Sequence, residues 1–218
     1  MKKLTVAIDG TAGSGKSTLG KALAEELGYF FLDTGLLYRA ISRHALTRDI
    51  DIEDESAICM FAENLEVTIQ QLQPTFKFAL NQSTVNDLYK VQIDKIVPIV
   101  ASYEVIRLKV REIQRQVAKE GNVILAGRDI GTVVLPDADL KFYIDVSLEE
   151  RARRRFNAQN VANRSLEAIK EDIQLRDYQD KNRHVSPLKI ASDAIVINTD
   201  GLDVEEAVAE LKKYVSNI

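Results

Sequence analysis

Tryptophan is absent from this 218-residue chain, and cysteine, methionine, histidine and proline are scarce at one, two, two and four residues. Each shortage removes a class of explanation. A single cysteine, Cys59, cannot form an internal disulfide, which suits a reducing compartment and leaves a buried apolar thiol as its expected role. His44 and His184 have neither metal-ligand spacing nor a nucleophile for a partner, so both are expected to be structural or exposed. No apolar run approaches the length of a membrane span. Met1-Lys2-Lys3 looks like the start of a secretion signal, yet the apolar run behind it stops at Asp9 and is needed as a strand. A basic excess is missing too: 29 Lys and Arg against 33 Asp and Glu give a net charge of −4, a poor basis for gripping nucleic acid. The expectation is a cytoplasmic protein with neither nucleic acid nor membrane as partner.

The rest of the composition, 45% hydrophobic and 28% charged, is that of an ordinary globular protein. One main unit, 1–218, with a small inserted subdomain fits the length. The organising stretch is Gly10-Thr11-Ala12-Gly13-Ser14-Gly15-Lys16-Ser17, which matches the phosphate-loop pattern of glycine, four residues, then Gly-Lys-Ser. Its context matches as well. Leu4 to Ile8 is a β-branched apolar run, and from Lys16 onward Leu19, Ala22, Leu23 and Leu27 recur at helical spacing. Glycines let successive N–H groups converge and a helix N-terminus adds positive potential, so the concavity suits a polyphosphate. Gly10, Thr11, Ala12, Gly13, Ser14, Gly15, Lys16, Ser17 and Thr18 are therefore the expected donor-binding residues, with Lys16 on the β and γ phosphates and the Ser17 hydroxyl on a bridging Mg2+.

Further along, Tyr29 to Leu32, Val123 to Ala126, Leu140 to Ile144 and Ala194 to Ile197 read as four more buried strands, with helical segments between them. Strand and helix in alternation imply an α/β fold with a parallel sheet, whose sites collect at the C-terminal strand ends. Asp9, the phosphate loop and Asp33-Thr34-Gly35 all lie there. Glu66 to Gln70 and Thr75 to Leu80 alternate polar and apolar residues about a Gln-Pro turn, the signature of small antiparallel strands inside an insert spanning about 64–100. Pro98 to Ser102 interrupts a helical stretch from Val91 to Lys119. The polar stretch Asn157 to Asn163 suits a mobile loop, with Ser165 as the next helix cap.

Arginines cluster by helical spacing. Arg176, Asp180 and Arg183 share one face, Arg151, Arg154 and Arg155 another with Arg153 turned away, and Arg107, Arg111 and Arg115 a third. Solvated faces with weak pairs are the bland alternative. Gly127-Arg128-Asp129 at a strand end favours an anion site instead, because planar guanidinium forks suit phosphate oxygens. Many arginines and no evident base favour a phosphate monoester, already ionised near neutral pH, as acceptor. The guanine-reading Asn-Lys-x-Asp motif is missing, which disfavours a GTPase.

These residues resemble the bacterial cytidylate kinases of the nucleoside monophosphate kinase group. Ile8-Asp9-Gly10, Leu32-Asp33-Thr34-Gly35 with Tyr38-Arg39-Ala40, Gly127 to Val134, Glu150-Arg151-Ala152 with Arg154-Arg155, Arg176-Asp177, Asp180, Asn182-Arg183 and Pro187-Leu188 carry the resemblance over almost the whole chain. It implies a three-layer P-loop fold with a five-stranded parallel sheet, a small antiparallel β insert and an α-helical lid at about 148–166. It also implies γ-phosphoryl transfer from ATP to CMP or dCMP with Mg2+. Carried over, Lys16, Arg128, Arg151 and Arg155 stabilise the transferring group, while Arg39, Arg128, Arg176 and Arg183 surround the acceptor phosphate. Asp180 sits at the ribose, Thr34 joins the acceptor site, and Ser102, Arg111 and Asp129 read the base. A monomer is expected. Position 126 is alanine where the resemblance places a carboxylate that orients magnesium's water shell, and Asp9 or Asp33 is the expected substitute. The segment from Leu88 to Pro98 also departs from the family pattern. A small-molecule kinase of the shikimate type and a non-catalytic nucleotide-binding regulator are the alternatives.

Overall fold

The computed structural model describes residues 3–84, 87–158 and 165–215. In chain order the first half contains β1 (Thr5–Gly10), α1 (Lys16–Leu27), β2 (Phe30–Asp33), α2 (Thr34–Leu46), α3 (Glu55–Glu63), β3 (Val67–Leu72), β4 (Thr75–Leu80) and β5 (Ser83–Thr84). There follow α4 (Val91–Val100), α5 (Glu104–Ala118), β6 (Val123–Gly127), a π-helical turn (Ile130–Val134), β7 (Leu140–Asp145), α6 (Leu148–Ala158), α7 (Leu166–Asn182), β8 (Ile195–Asn198) and α8 (Val204–Val215).

Five strands form the expected parallel sheet, in the order β2-β6-β1-β7-β8. Side chains of successive residues leave a strand on opposite faces, and the core divides accordingly. Val6 and Ile8 join Ile124, Phe142, Ile144 and Ile197 under Leu19 and Leu23 of α1 and Val208 and Leu211 of α8. Ala7, Val123 and Leu125 face the other way, against Val117 and Ala118 of α5 and Ile130. Buried on both faces, the central strands are near-continuous apolar runs. The register sets Asp9 opposite Gly127 and Asp33 opposite Ala126, so three strands end level with one another at the phosphate loop.

The insert is an antiparallel sheet of β3, β4 and β5, followed by α4. It docks on the edge strand β2, where Phe31 N donates to Pro74 O at 2.7 Å and the Phe30 and Phe76 rings lie 5.4 Å apart. Leu80, Ile93, Val97 and Val100 share a core with Leu37, Ile41, Ile58 and Ile106, which binds the insert to α2, α3 and α5. The helical break falls later than expected: α4 runs through Pro98 to Val100, and α5 begins at Glu104.

Cys59 is half-buried in α3 and not fully enclosed as expected. His44 is a buried structural residue against Phe61, its imidazole held below the usual pKa by burial and then by Arg48 and Arg43; His184 is exposed. The segment read as a lid begins with α6, which packs on α7, mostly beyond that segment, through Leu148, Ala152, Ile169 and Ile173. Ser165 does cap α7, accepting from Ala168 N at 3.1 Å. Most of the polar stretch 157–163 lies outside the described residues.

Candidate active site

The phosphate loop turns between β1 and α1 through two left-handed residues, Gly13 (φ 75°) and Gly15 (φ 83°), a conformation glycine adopts without steric cost. Lys16 opens α1, is buried, and donates from Nζ to Thr11 O at 3.0 Å. Burial, then the nearby Arg128, pushes its ammonium down to about 7, while Asp33 acts in the opposite sense. Ser17 is half-buried and Thr18 exposed. Asp9 is committed elsewhere: its two oxygens accept from Ile130 N (2.9 Å) and Gly131 N (2.8 Å), pinning the π turn beside the loop. Burial raises its carboxyl to about 6 against the pull of those two amides. Asp33 spends Oδ1 on Gly35 N at 3.0 Å, capping α2.

Three arginines converge on Asp180 of α7. Arg128 Nε lies 2.7 Å and Arg176 Nε 3.4 Å from Oδ2, and Arg183 Nη1 lies 3.7 Å from Oδ1. Burial alone would raise the Asp180 carboxyl, but Arg128, Arg176 and Arg183 hold it below the usual range. Helical spacing brings Arg176 and Asp180 together on α7, whereas Arg183 caps the end of that helix in extended backbone and turns back to Asp180, with Arg128 added from the end of β6.

Beside this cluster, a cleft is lined by Tyr38, Arg107, Arg111, Gln114 and Asp129. The buried ion pair at its base is Arg107 Nη2 to Asp129 Oδ2 at 2.5 Å, and Arg183 Nη2 reaches the other oxygen at 3.4 Å. Arg107 also donates to Ala101 O at 3.2 Å and lies over the Tyr38 ring at 5.4 Å. Arg107 is the residue that sequence reasoning missed. The signal was the shared face of Arg107, Arg111 and Arg115, which runs from buried Arg107 through half-buried Arg111 to exposed Arg115, whose guanidinium donates to the Val134 and Val133 carbonyls at 2.8 and 3.0 Å. Arg111 lines the cleft one helical turn beyond Arg107. Ser102 is exposed, with its hydroxyl donating back to Ile99 O at 2.7 Å. Gln114 is 1% exposed, and its Oε1 has no hydrogen-bond partner among the described residues.

Two expected acceptor residues are engaged by the protein itself. Arg39 pairs with Asp94 of α4 at 2.5 Å, donates to Leu88 O at 3.0 Å and stacks over Tyr89 at 4.9 Å. Thr34 is buried and donates its hydroxyl to Ala126 O at 2.8 Å, linking the ends of β2 and β6. On α6, Arg151 is buried and donates to Ala12 O, Asp177 and Val146 O. Arg154 crosses to Thr199 O at 2.5 Å, exposed Arg153 pairs with Glu150, and Arg155 is half-buried.

No group of three or more His, Cys, Asp or Glu suited to a metal occurs among the described residues. Magnesium needs no such group, since it retains waters and binds through substrate phosphates with one or two protein oxygens. Ser17 and Asp33 supply hard oxygen donors of the required kind beside Lys16. Among the described residues no helix is long and apolar enough to cross a membrane.

The cytidylate kinase family model matches residues 6–217. A cytidylate kinase of Desulfitobacterium hafniense is 43% identical over 209 residues, covering 95% of this chain and 90% of the relative. One from Bacillus cereus is 40% identical over 220 residues, covering 100% and 98%. Among solved structures, the shikimate kinase of Bacteroides thetaiotaomicron aligns over 99% of both chains with a TM-score of 0.54 and 14% identity, a likeness of fold alone. A phosphate loop at the ends of a parallel sheet, an arginine cluster beside it and relatives matched over the full length agree, and the chain belongs to the cytidylate kinase family.

Proposed function

We propose that this chain transfers the γ-phosphoryl group of ATP to CMP or dCMP by in-line attack of an acceptor phosphate oxygen. The observation that carries the reading is the gathering of Arg128, Arg176 and Arg183 on Asp180, at the strand ends that also hold the phosphate loop. An ionised phosphate monoester needs cations around it and no base to deprotonate it, which is what this site offers.

The loop amides and Lys16 hold the donor. Ser17 would hold Mg2+ and Asp33 would orient its waters, and the ion when bound neutralises charge on the donor phosphates. Arg39, Arg128, Arg176 and Arg183 receive the acceptor phosphate, with Thr34 beside them and Asp180 at the ribose. Arg107 donates to and Asp129 accepts from the base, with Arg111 in the same cleft and Ser102 as a further base contact. Cytosine presents acceptors at its ring nitrogen and carbonyl and a donor at its amino group, whereas uracil reverses two of these and leaves buried groups unpaired. Arg151 and Arg155 on α6 complete the positive surround as the 148–166 segment closes over the donor and excludes water. The compartment we assign is the cytoplasm and the state a monomer.

The test is ADP release with Mg2+ and ATP against CMP, dCMP, UMP, AMP, shikimate and no acceptor. Rapid turnover confined to CMP and dCMP is expected. Turnover with UMP, AMP or shikimate but not CMP would overturn the base assignment, and silence on all would point to a binding role.

A further inference from the structure

One residue of the phosphate loop, Ala12, is held at both its N–H and its C=O by a single buried ion pair. Ala12 N donates to Asp177 Oδ1 at 3.0 Å, Ala12 O accepts from Arg151 Nη1 at 2.9 Å, and the same Nη1 donates to Asp177 Oδ2 at 2.6 Å. The three contacts close a ring. Arg151 comes from α6 and Asp177 from α7, they are 6% and 8% exposed, and Arg151 is further oriented through Nε on Val146 O at 3.1 Å. Water cannot replace a lost partner at such depth, so breaking one side of the ring leaves the others unsatisfied.

Neither residue is needed to bring its helices together, since Leu148, Ala152, Ile169 and Ile173 already do so. Nor does Asp177 serve the acceptor arginines, which gather on Asp180. Among the described residues its hydrogen-bond partners are Ala12 and Arg151. The neighbouring loop residue lies against the same helices: a Cβ added at Gly13 would come within 3.6 Å of Arg151 Cβ and 3.9 Å of Ile173 Cδ1. The ring therefore engages both backbone groups of Ala12, immediately ahead of the amides that a phosphate would meet.

We propose that Asp177 is a positioning residue for the donor site, locking Ala12 directly and through Arg151, so that donor affinity depends on the seating of α6 and α7. The inference rests on the phosphate loop being the donor site. That premise is tested first: calorimetric titration of ADP into the full chain must show binding that Lys16→Ala weakens, and absence of it would overturn the donor-site reading itself. With binding in place, Asp177→Ala is expected to weaken ADP affinity about tenfold or more and raise the KM for ATP in parallel. The KM for CMP at saturating ATP stays within about twofold, a split that mere loss of stability would not produce. Asp177→Asn, which can still accept from Ala12 but leaves Arg151 uncompensated, falls between. Unchanged ADP affinity in Asp177→Ala, or equal losses for donor and acceptor, would overturn the proposal. If Asp177→Ala does not fold, the isosteric Asp177→Asn decides: it touches no group placed on the donor, so weakened ADP binding supports the ring and wild-type binding overturns it.

Discussion

Arg107 and Asp129 meet at 2.5 Å with both side chains buried, and the remaining Asp129 oxygen is reached by Arg183 of the acceptor cluster at 3.4 Å. The Tyr38–Arg107–Asp129 cleft and the arginine cluster on Asp180 are therefore joined through one carboxylate. Asp129 cannot move toward a base without disturbing Arg183.

Arg107→Ala is expected to raise the KM for CMP about thirtyfold or more and to erode discrimination against UMP, since it removes a buried donor and strands Asp129. Arg111→Ala, one turn away, is expected to change the same KM less than about threefold. Steady-state kinetics on both variants with both acceptors ranks them. The opposite ranking would return base recognition to Arg111.

Asp9 makes a pH prediction. Its folded-state pKa is raised from 3.8 to about 6, so the folded protein binds the extra proton between those values. The resulting stabilisation is fully present below about pH 4 and is lost as pH rises through about 6, a change of about 3 kcal/mol at most for this buried group. Asp9→Asn cannot titrate. Urea unfolding of both proteins from pH 4 to 7.5 is expected to show the wild type losing ground to the variant as pH rises, and parallel profiles would contradict the assignment.

Arg39 is held by Asp94 before any acceptor phosphate reaches it. An ion pair this open to solvent contributes at most about 1 kcal/mol, so freeing the arginine has a bounded effect. Asp94→Ala is expected to lower the KM for CMP about two- to threefold, whereas Arg39→Ala raises it about tenfold or more. A rise in KM for Asp94→Ala would show that Asp94 places Arg39 and does not compete for it.

With Asp9 occupied by the π turn, Asp33 is the carboxylate we assign to magnesium's waters. Asp33→Asn keeps an oxygen for the α2 cap, so thermal stability is expected to change little. The Mg2+ concentration giving half-maximal rate at fixed ATP is expected to rise about tenfold. An unaltered Mg2+ dependence would remove Asp33 from that role.

Much of the architecture was legible in the residues. The phosphate loop, the five apolar strands and the alternation of β3 and β4 each follow from spacing that acts over a few residues, and each element formed where that spacing predicts. The pairing of Arg176 with Asp180 was equally legible, because side chains four residues apart share a face in any α-helix, whereas Arg183 lies just past the end of α7 and reaches Asp180 from its cap. The burial of Cys59 was overestimated, since an apolar neighbourhood in sequence does not say which side of α3 meets the core.

What the sequence by itself determined is the kind of site: a polyphosphate cradle and a set of guanidiniums, both written in local patterns of glycine, lysine and arginine. The tertiary structure alone decided the pairs between elements, Arg107 with Asp129, Arg128 with Asp180 and Arg151 with Asp177. Arg107, Arg111 and Arg115 are equivalent by periodicity, and only the height at which α5 packs against the turn after β6 selects Arg107 for Asp129, 22 residues downstream. The ring around Ala12 depends in the same way on two helices that return to the loop from 139 and 165 residues away. Such contacts are set by packing between distant elements, and no local spacing encodes them.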